Sequence, residues 1–274
     1  MSATRDVPPA DTRRLFDRDA GAYFAEKYGR HGDPAQQYAF AVRRAAVVRM
    51  LGPTPGHVLD VGCGPGVMIE PVLARGGRLT GLDLSPRMSA EAEKRAQALG
   101  LIGRCEFRTG SAEALPFDDD TFDAVTAMGV IEYVPDDGRA LREMARVTRP
   151  GGVVIVTVPN LLSPWRFMPL VVKPPFLRFL KPAYRAVRRR VAPAHACELD
   201  SFPRRLYVPA VLDRRMARAG LARAASAFYN FRLPVIGTVR PAGSIRLAAA
   251  MAPLDRCAAL RWIGGGYIAK GRVR

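Results

Sequence analysis

Residues 58–66 read Val-Leu-Asp-Val-Gly-Cys-Gly-Pro-Gly. The carboxylate of Asp60 stands just ahead of three alternating glycines, Gly62, Gly64 and Gly66, with Cys63 inside the turn. Such glycines tolerate positive φ and let a ligand approach bare backbone. A dinucleotide fingerprint wants Gly-x-Gly-x-x-Gly, with a pyrophosphate against the helix that follows. Here the third glycine comes one residue early, and a carboxylate beside a pyrophosphate is unfavourable. The same carboxylate suits an ammonium or a sulfonium. A second acid, Asp83, follows in Gly-Leu-Asp-Leu-Ser-Pro-Arg-Met. An acid at the end of a second strand can accept the hydroxyls of a ribose.

These residues need a scaffold that brings strand ends together. Val58, Leu59 and Val61 read as a buried parallel strand, and Met68–Arg75 as the helix after the glycine loop. Further strands are predicted at Arg78–Leu82, Cys105–Thr109, Phe122–Ala127 and Gly152–Val158, with helices at Pro86–Leu99 and Gly138–Val147 between them. Alternating strand and helix gives a parallel sheet with right-handed crossovers. Two more helices precede the sheet, over Thr12–Tyr28 and Gln36–Leu51, the second stopped by Gly52-Pro53-Thr54-Pro55-Gly56.

Asp-x-Gly-x-Gly-x-Gly at a strand end resembles motif I of the class I S-adenosylmethionine (SAM)-dependent methyltransferases. The stretch Gly110-Ser111-Ala112-Glu113-Ala114-Leu115-Pro116-Phe117 resembles the adenine-contacting segment of the ubiquinone/menaquinone-type members. Many relatives carry Asp where Ser111 stands, so Ser111 keeps a hydrogen bond but no carboxylate. Arg146–Val158, with Pro150-Gly151-Gly152 expected to turn from helix to strand, resembles the close of the motif series. The resemblance is detailed over Val58–Asn160. It implies a Rossmann-like α/β fold of seven strands with helices on both faces, an N-terminal helical cap and C-terminal lid insertions. Gly266–Val273 would be the last strand, antiparallel between the fifth and the sixth, with Arg223–Phe231 as the sixth. SAM is the cofactor implied. Its site residues would be Asp60, Gly62, Cys63, Gly64 and Gly66, then Asp83, Leu84 and Met88, then Ser111, Ala112 and Glu113, then Met128 and Gly129. Tyr23 of the N-terminal helix would gate the pocket. Relatives often have histidine where Tyr133 stands, so a histidine base cannot be carried over there. His31, Tyr133 and His195 are the candidates for catalysis. His57 reads as exposed on the far side of the sheet, and Asp118-Asp119-Asp120 as a solvated turn rather than a metal site.

The chain divides into a cap (1–52), a cofactor-binding core (53–160), a first insertion (161–203) and a completion of the sheet (204–274) with a second insertion at 232–263. Residues 1–159 carry 20 basic and 21 acidic residues, while residues 160–274 carry 22 basic and 4 acidic. The net charges are −1 and +18, and together they give the +17 of the chain. A basic half indicates an anionic partner. The first insertion mixes Trp165, Phe167, Phe176 and Phe179 with prolines and arginines. A spanning helix needs ~20 nearly uncharged residues, so this reads as a lid over a greasy pocket or as a segment in a membrane interface. The functional expectation is methyl transfer to an oxygen or carbon of a lipophilic or aromatic small molecule, with an anionic membrane surface as a further partner. An RNA methyltransferase using the basic half, and a non-catalytic SAM-fold protein, are the alternatives. The scattered Cys63, Cys105, Cys197 and Cys257 show no metal-ligand spacing and no disulfide scaffold. With no apolar segment at the start, a cytoplasmic location is expected, or one peripheral on the inner face of the membrane.

Overall fold

The computed structural model describes residues 9–29, 33–164, 205–231, 241–257 and 259–274. His31, His195 and the first insertion from residue 165 to 203 lie outside them.

Seven strands form one sheet: β1 (His57–Val61), β2 (Arg78–Asp83), β3 (Cys105–Thr109), β4 (Phe122–Met128), β5 (Thr148–Pro159), β6 (Leu221–Tyr229) and β7 (Gly266–Val273). Their order is β3-β2-β1-β4-β5-β7-β6. The first five run parallel. The last strand inserts antiparallel between β5 and β6, as the sequence leads one to expect. The chain leaves β1 for β2 on one side and reaches β4 on the other, so a crevice opens where the order reverses, at the carboxyl ends of these strands.

Helices cover both faces: α1 (Pro9–Lys27), α2 (Pro34–Leu51), α3 (Ile69–Leu73), α4 (Pro86–Ala98), α5 (Asp137–Arg146), α6 (Pro209–Arg218) and α7 (Pro241–Met251). Successive side chains of a strand point to opposite faces. Accordingly Leu59, Val125, Val154 and Val156 join a core with Leu141 and Met144 of α5 and Leu212 and Met216 of α6. Their neighbours Val58, Ala124 and Ile155 join a second core with Val47 and Leu51 of α2 and Val72 of α3. Burial on both faces explains why the parallel strands read as continuous apolar runs. Among the described residues no helix is long and apolar enough to cross a membrane.

Local chemistry fixes the helix starts nearest the crevice. Ser85 caps α4, its hydroxyl accepting from the Met88 N–H at 3.0 Å, and Pro86 opens the helix. Asp136 caps α5 by accepting from the Arg139 N–H at 2.9 Å. Two local expectations are corrected. The helix after the glycine loop is only Ile69–Leu73, because the loop continues in turns through Met68. Pro150-Gly151-Gly152 does not turn from helix into strand. α5 ends at Arg146, β5 already pairs at Thr148 with Phe122, and residues 149–152 form an irregularity before Val153 pairs with Ala124. Gly151 takes φ +79° there.

Candidate active site

A cavity of about 510 Å³ opens at the carboxyl edge of β1, β2 and β4. Sites for small molecules usually span ~300–1,000 Å³. Its floor at one end is the glycine loop. Gly62 has φ +65°, and a Cβ there would run into the Val130 side chain. Gly64 has φ +51° with open space where a side chain would stand. The loop is locked to β2 through Asp83. One carboxylate oxygen accepts from the Gly64 N–H and the other from the Ser85 N–H, both at 2.9 Å. Each oxygen keeps a lone pair for a ligand hydroxyl. Burial pushes the Asp83 carboxyl up to about 6, against these two hydrogen bonds. Leu84, Met88, Ser111, Ala112 and Glu113 complete this end. The last is oriented by accepting from the Asp136 N–H at 2.9 Å.

The other end is built by α1, α2 and the ends of β4, β5, β6 and β7. α1 is tied across the mouth by the Ser85 hydroxyl, which donates to Asp17 at 2.5 Å. Its Phe16 meets Tyr133 edge-on at 5.7 Å between centroids, and Tyr23 meets Phe40 of α2 at 6.4 Å. Arg43 of α2 stacks on Phe40 at 4.5 Å and reaches the Tyr28 hydroxyl at 3.4 Å. A Cβ on Gly129 would stand 2.6 Å from the Arg43 guanidinium, so the glycine makes room for that cation at the end of β4. Tyr229 and Asn230 close the far wall. Burial pushes the Tyr229 phenol up, and Arg43 and Glu132 are its charged neighbours. Three buried polar atoms on this wall, Thr12 Oγ1, Arg43 Nε and Asn230 Oδ1, have no hydrogen-bond partner among the described residues. Buried polar atoms of this kind call for a ligand or for water.

The cavity brings together Tyr23, Gly62, Gly64, Asp83, Leu84, Met88, Ser111, Ala112, Glu113, Met128, Gly129 and Tyr133. Three residues expected at the ligand do not line it. Asp60 is buried within the sheet, where it accepts from the Thr126 hydroxyl at 2.6 Å and leaves its second oxygen unpartnered. Burial, with the nearby Asp83 charge, pushes its carboxyl up to about 7. The Cys63 thiol turns toward β2, where a Cβ on Gly81 would lie 2.9 Å away, and burial raises it well above the ordinary thiol range. Gly66 packs against Ile69 and Ala92 and serves the turn. His57 is half-buried rather than exposed. It opens β1, at the end of the sheet away from the cavity, and lies 2.9 Å from the Thr80 hydroxyl. His31 and His195 lie outside the described residues, which leaves Tyr133 as the candidate the structure places at the site. Glu132 reads from the sequence as a candidate base beside Tyr133 at the mouth of the fourth strand, and the structure puts it on the cavity, whereas Arg43, Tyr229 and Asn230 were not singled out. Their helix or strand spacing carries no motif, and only the packing of α2 and β6 on the sheet turns them inward.

Residues 59–156 match the model of the Methyltransferase domain family. This segment is similar to a methyltransferase domain. A phosphatidylethanolamine N-methyltransferase from Cereibacter sphaeroides is 40% identical over 114 residues, which is 42% of this chain and 54% of the relative. A demethylmenaquinone methyltransferase from Renibacterium salmoninarum is 35% identical over 155 residues, 56% of this chain and 61% of the relative. The chain thus spans little more than half the length of these relatives. The magnesium protoporphyrin IX methyltransferase of Synechocystis, solved with bound SAM, superposes over all of both chains with a TM-score of 0.63 at 16% identity, a likeness of fold. The match ends within β5, and the cavity wall is completed from outside it, by α1 and α2 before it and by Pro159, Tyr229, Asn230, Gly265 and Gly266 after it. Its residues fit SAM chemically. The bare backbone of Gly62 and Gly64 lies beside Asp83, whose carboxylate can accept the hydroxyls of a ribose, and the Arg43 Nε–H can donate to a carboxylate.

Proposed function

We propose that this chain transfers a methyl group from SAM to an oxygen or carbon nucleophile of a lipophilic or aromatic small molecule. The observation that carries the reading is one cavity with two unlike ends. One end offers bare glycine backbone and Asp83, and the other is lined by Phe16, Tyr23, Phe40 and Tyr133. The bound sulfonium supplies an already activated methyl group. The chain must then bind, align and exclude water, and alignment alone can contribute ~7–11 kcal/mol of the acceleration. Asp83 holds the ribose hydroxyls, while Ser111, Ala112 and Glu113 wall the adenine. Gly62, Gly129 and Arg43 hold the methionine end, with the guanidinium on the carboxylate. Phe16, Tyr23 and Phe40 shut out water and give a flat acceptor an apolar seat. Tyr133 and Glu132 stand within this acceptor half, where either can orient or receive the proton of a hydroxyl. The acceptors named for the two relatives, phosphatidylethanolamine and a demethylmenaquinone, are both lipids, which supports a lipophilic acceptor here.

The test is untargeted. The protein is incubated with methyl-labelled SAM and a cell extract, and the extract is separated into lipid, small-molecule and RNA fractions. Label should enter the lipid or small-molecule fraction. Label confined to RNA would overturn the acceptor class, and an absence of label together with no heat of S-adenosylhomocysteine binding would overturn the activity.

A further inference from the structure

Beside the ends of β5 and β7 the fold leaves three apolar side chains in solvent. Leu162 is 46% exposed, Leu260 45% and Trp262 44%. Scattered exposed hydrophobics need no explanation, but these three share one piece of backbone. The Asn160 side-chain amide donates to the Trp262 carbonyl at 2.8 Å and to the Gly264 carbonyl at 2.9 Å, and its oxygen accepts from the Leu162 N–H at 3.0 Å. Ser163 adds a bond from its hydroxyl to the Ile263 carbonyl at 2.9 Å. Leu260 enters through the turn closed by the Ile263 N–H at 3.1 Å. Asn160 and Ser163 are fully buried, so the apolar side chains stand on a pinned base rather than a loose loop. The Trp262 indole N–H is already spent on the Ala259 carbonyl at 2.7 Å, so what the ring shows outward is its carbon surface.

Position and charge narrow the occupant. Pro159, Gly265 and Gly266, the immediate neighbours of this patch along the chain, line the cavity. Arg261 lies between Leu260 and Trp262, with its guanidinium 5.9 Å from the Phe228 ring, and Arg256 is exposed nearby in sequence. They belong to the half of the chain in which 22 basic residues face 4 acidic ones. Apolar anchors set among arginines fit the boundary between acyl chains and acidic headgroups.

We propose that the Leu162–Leu260–Trp262 patch docks on an anionic lipid bilayer and opens the cavity toward it. A lipophilic acceptor then enters from the bilayer without crossing water. The delivery step rests on the methyl-transfer reading above, whereas the docking does not.

The probes are vesicles of phosphatidylcholine alone and of phosphatidylcholine with phosphatidylglycerol at equal parts. The chain holds two tryptophans, so the variant W165F leaves Trp262 as the reporter. Trp262 should be open to acrylamide in the free protein. It should shift to the blue and be quenched by brominated acyl chains on the anionic vesicles. The double variant L162D/L260D should lose vesicle binding about tenfold or more, with S-adenosylhomocysteine affinity by calorimetry unchanged. Raising salt from about 0.1 to about 0.5 M should weaken binding severalfold. The proposal falls if Trp262 does not respond, if it is shielded from acrylamide before vesicles are added, or if L162D/L260D binds as well as the parent. It also falls if the patch proves to pair two copies, seen as a dimer in sedimentation that L162D/L260D dissolves. Vesicle binding that passes these tests while no methyl transfer is found would leave the docking standing and overturn the proposed activity instead.

Discussion

Asp60 and Asp83 sit at the ends of adjacent strands, and burial raises both carboxyls, to about 7 and about 6. They differ in what their oxygens meet. Asp83 faces the cavity with both oxygens already oriented by backbone N–H groups. A hydrogen bond to a charged group contributes ~1.5–3 kcal/mol, so Asp83→Ala should weaken S-adenosylhomocysteine binding about 10- to 100-fold. In the parent protein the affinity should fall as pH is lowered through about 6, where Asp83 gains its proton. Calorimetry across pH 5–8 measures both effects, and a flat profile would contradict the role given to Asp83. Asp60 meets only the Thr126 hydroxyl, and its other oxygen is buried without a partner. Its folded-state carboxyl holds the proton above the usual carboxylate range, so the folded state binds more protons than the unfolded chain from about pH 4 to about 7. Its contribution to stability is therefore lost as pH rises through that window. Asp60→Asn removes the ionisation and keeps an acceptor for Thr126. It should stabilise the protein by about 2–4 kcal/mol at pH 8 and by less than half of that at pH 5. Thermal melts at the two pH values check this. An equal shift at both would mean that Asp60 is not a buried charge.

At the scale of elements, the central strands β1, β4 and β5 were legible because burial on both faces fills them with Val, Leu, Ile and Ala, whereas the edge strand β3, Cys-Glu-Phe-Arg-Thr, is half-exposed. Gly266–Val273 was placed correctly, pairing and direction included, because the family resemblance supplied the topology. The Pro150-Gly151-Gly152 stretch was misread because proline and glycine mark an irregularity inside a strand as well as a turn between elements. The cofactor end was legible because it is written in one loop and one acid, each local in sequence. The wall opposite was not, because α2 contributes Arg43 and β6 contributes Tyr229 from nearly two hundred residues apart. Their meeting depends on the pairing of β6 with β7, which brings Tyr229 opposite Gly266. A Cβ at Gly266 would collide with the Tyr229 ring. Gly266→Ala should therefore push that ring toward Arg43 and the cavity. It should cost about 1–3 kcal/mol of stability, the usual penalty for overpacking. Denaturant unfolding reads the loss. An unchanged midpoint would show that Tyr229 has room the packing does not suggest.

For the whole molecule, the methyltransferase-domain match at residues 59–156 is a statement about sequence, and the folded unit is larger. β5 lies in the middle of the sheet only because β7 and β6 arrive from the far end of the chain. Tyr267 heads the large fully buried side chains, and its hydroxyl donates to Asp213 of α6 at 2.8 Å. Lys270 reaches back to the Met50 carbonyl of α2 at 2.7 Å, joining the last strand to the cap. The two halves also differ in charge, so a chain cut after residue 160 falls from a net +17 to −1. Such a truncation would leave β5, with Val154, Val156 and Val158, as a long apolar edge on a nearly neutral molecule. Exposed edges of this kind pair with other chains, and low net charge does not oppose it. The 1–160 fragment should therefore melt without a cooperative transition, bind a hydrophobic dye and aggregate, while the full chain melts sharply. If the fragment instead melted within a few degrees of the full chain and bound S-adenosylhomocysteine as tightly, the C-terminal strands would be an addition to a finished core rather than the part that completes it.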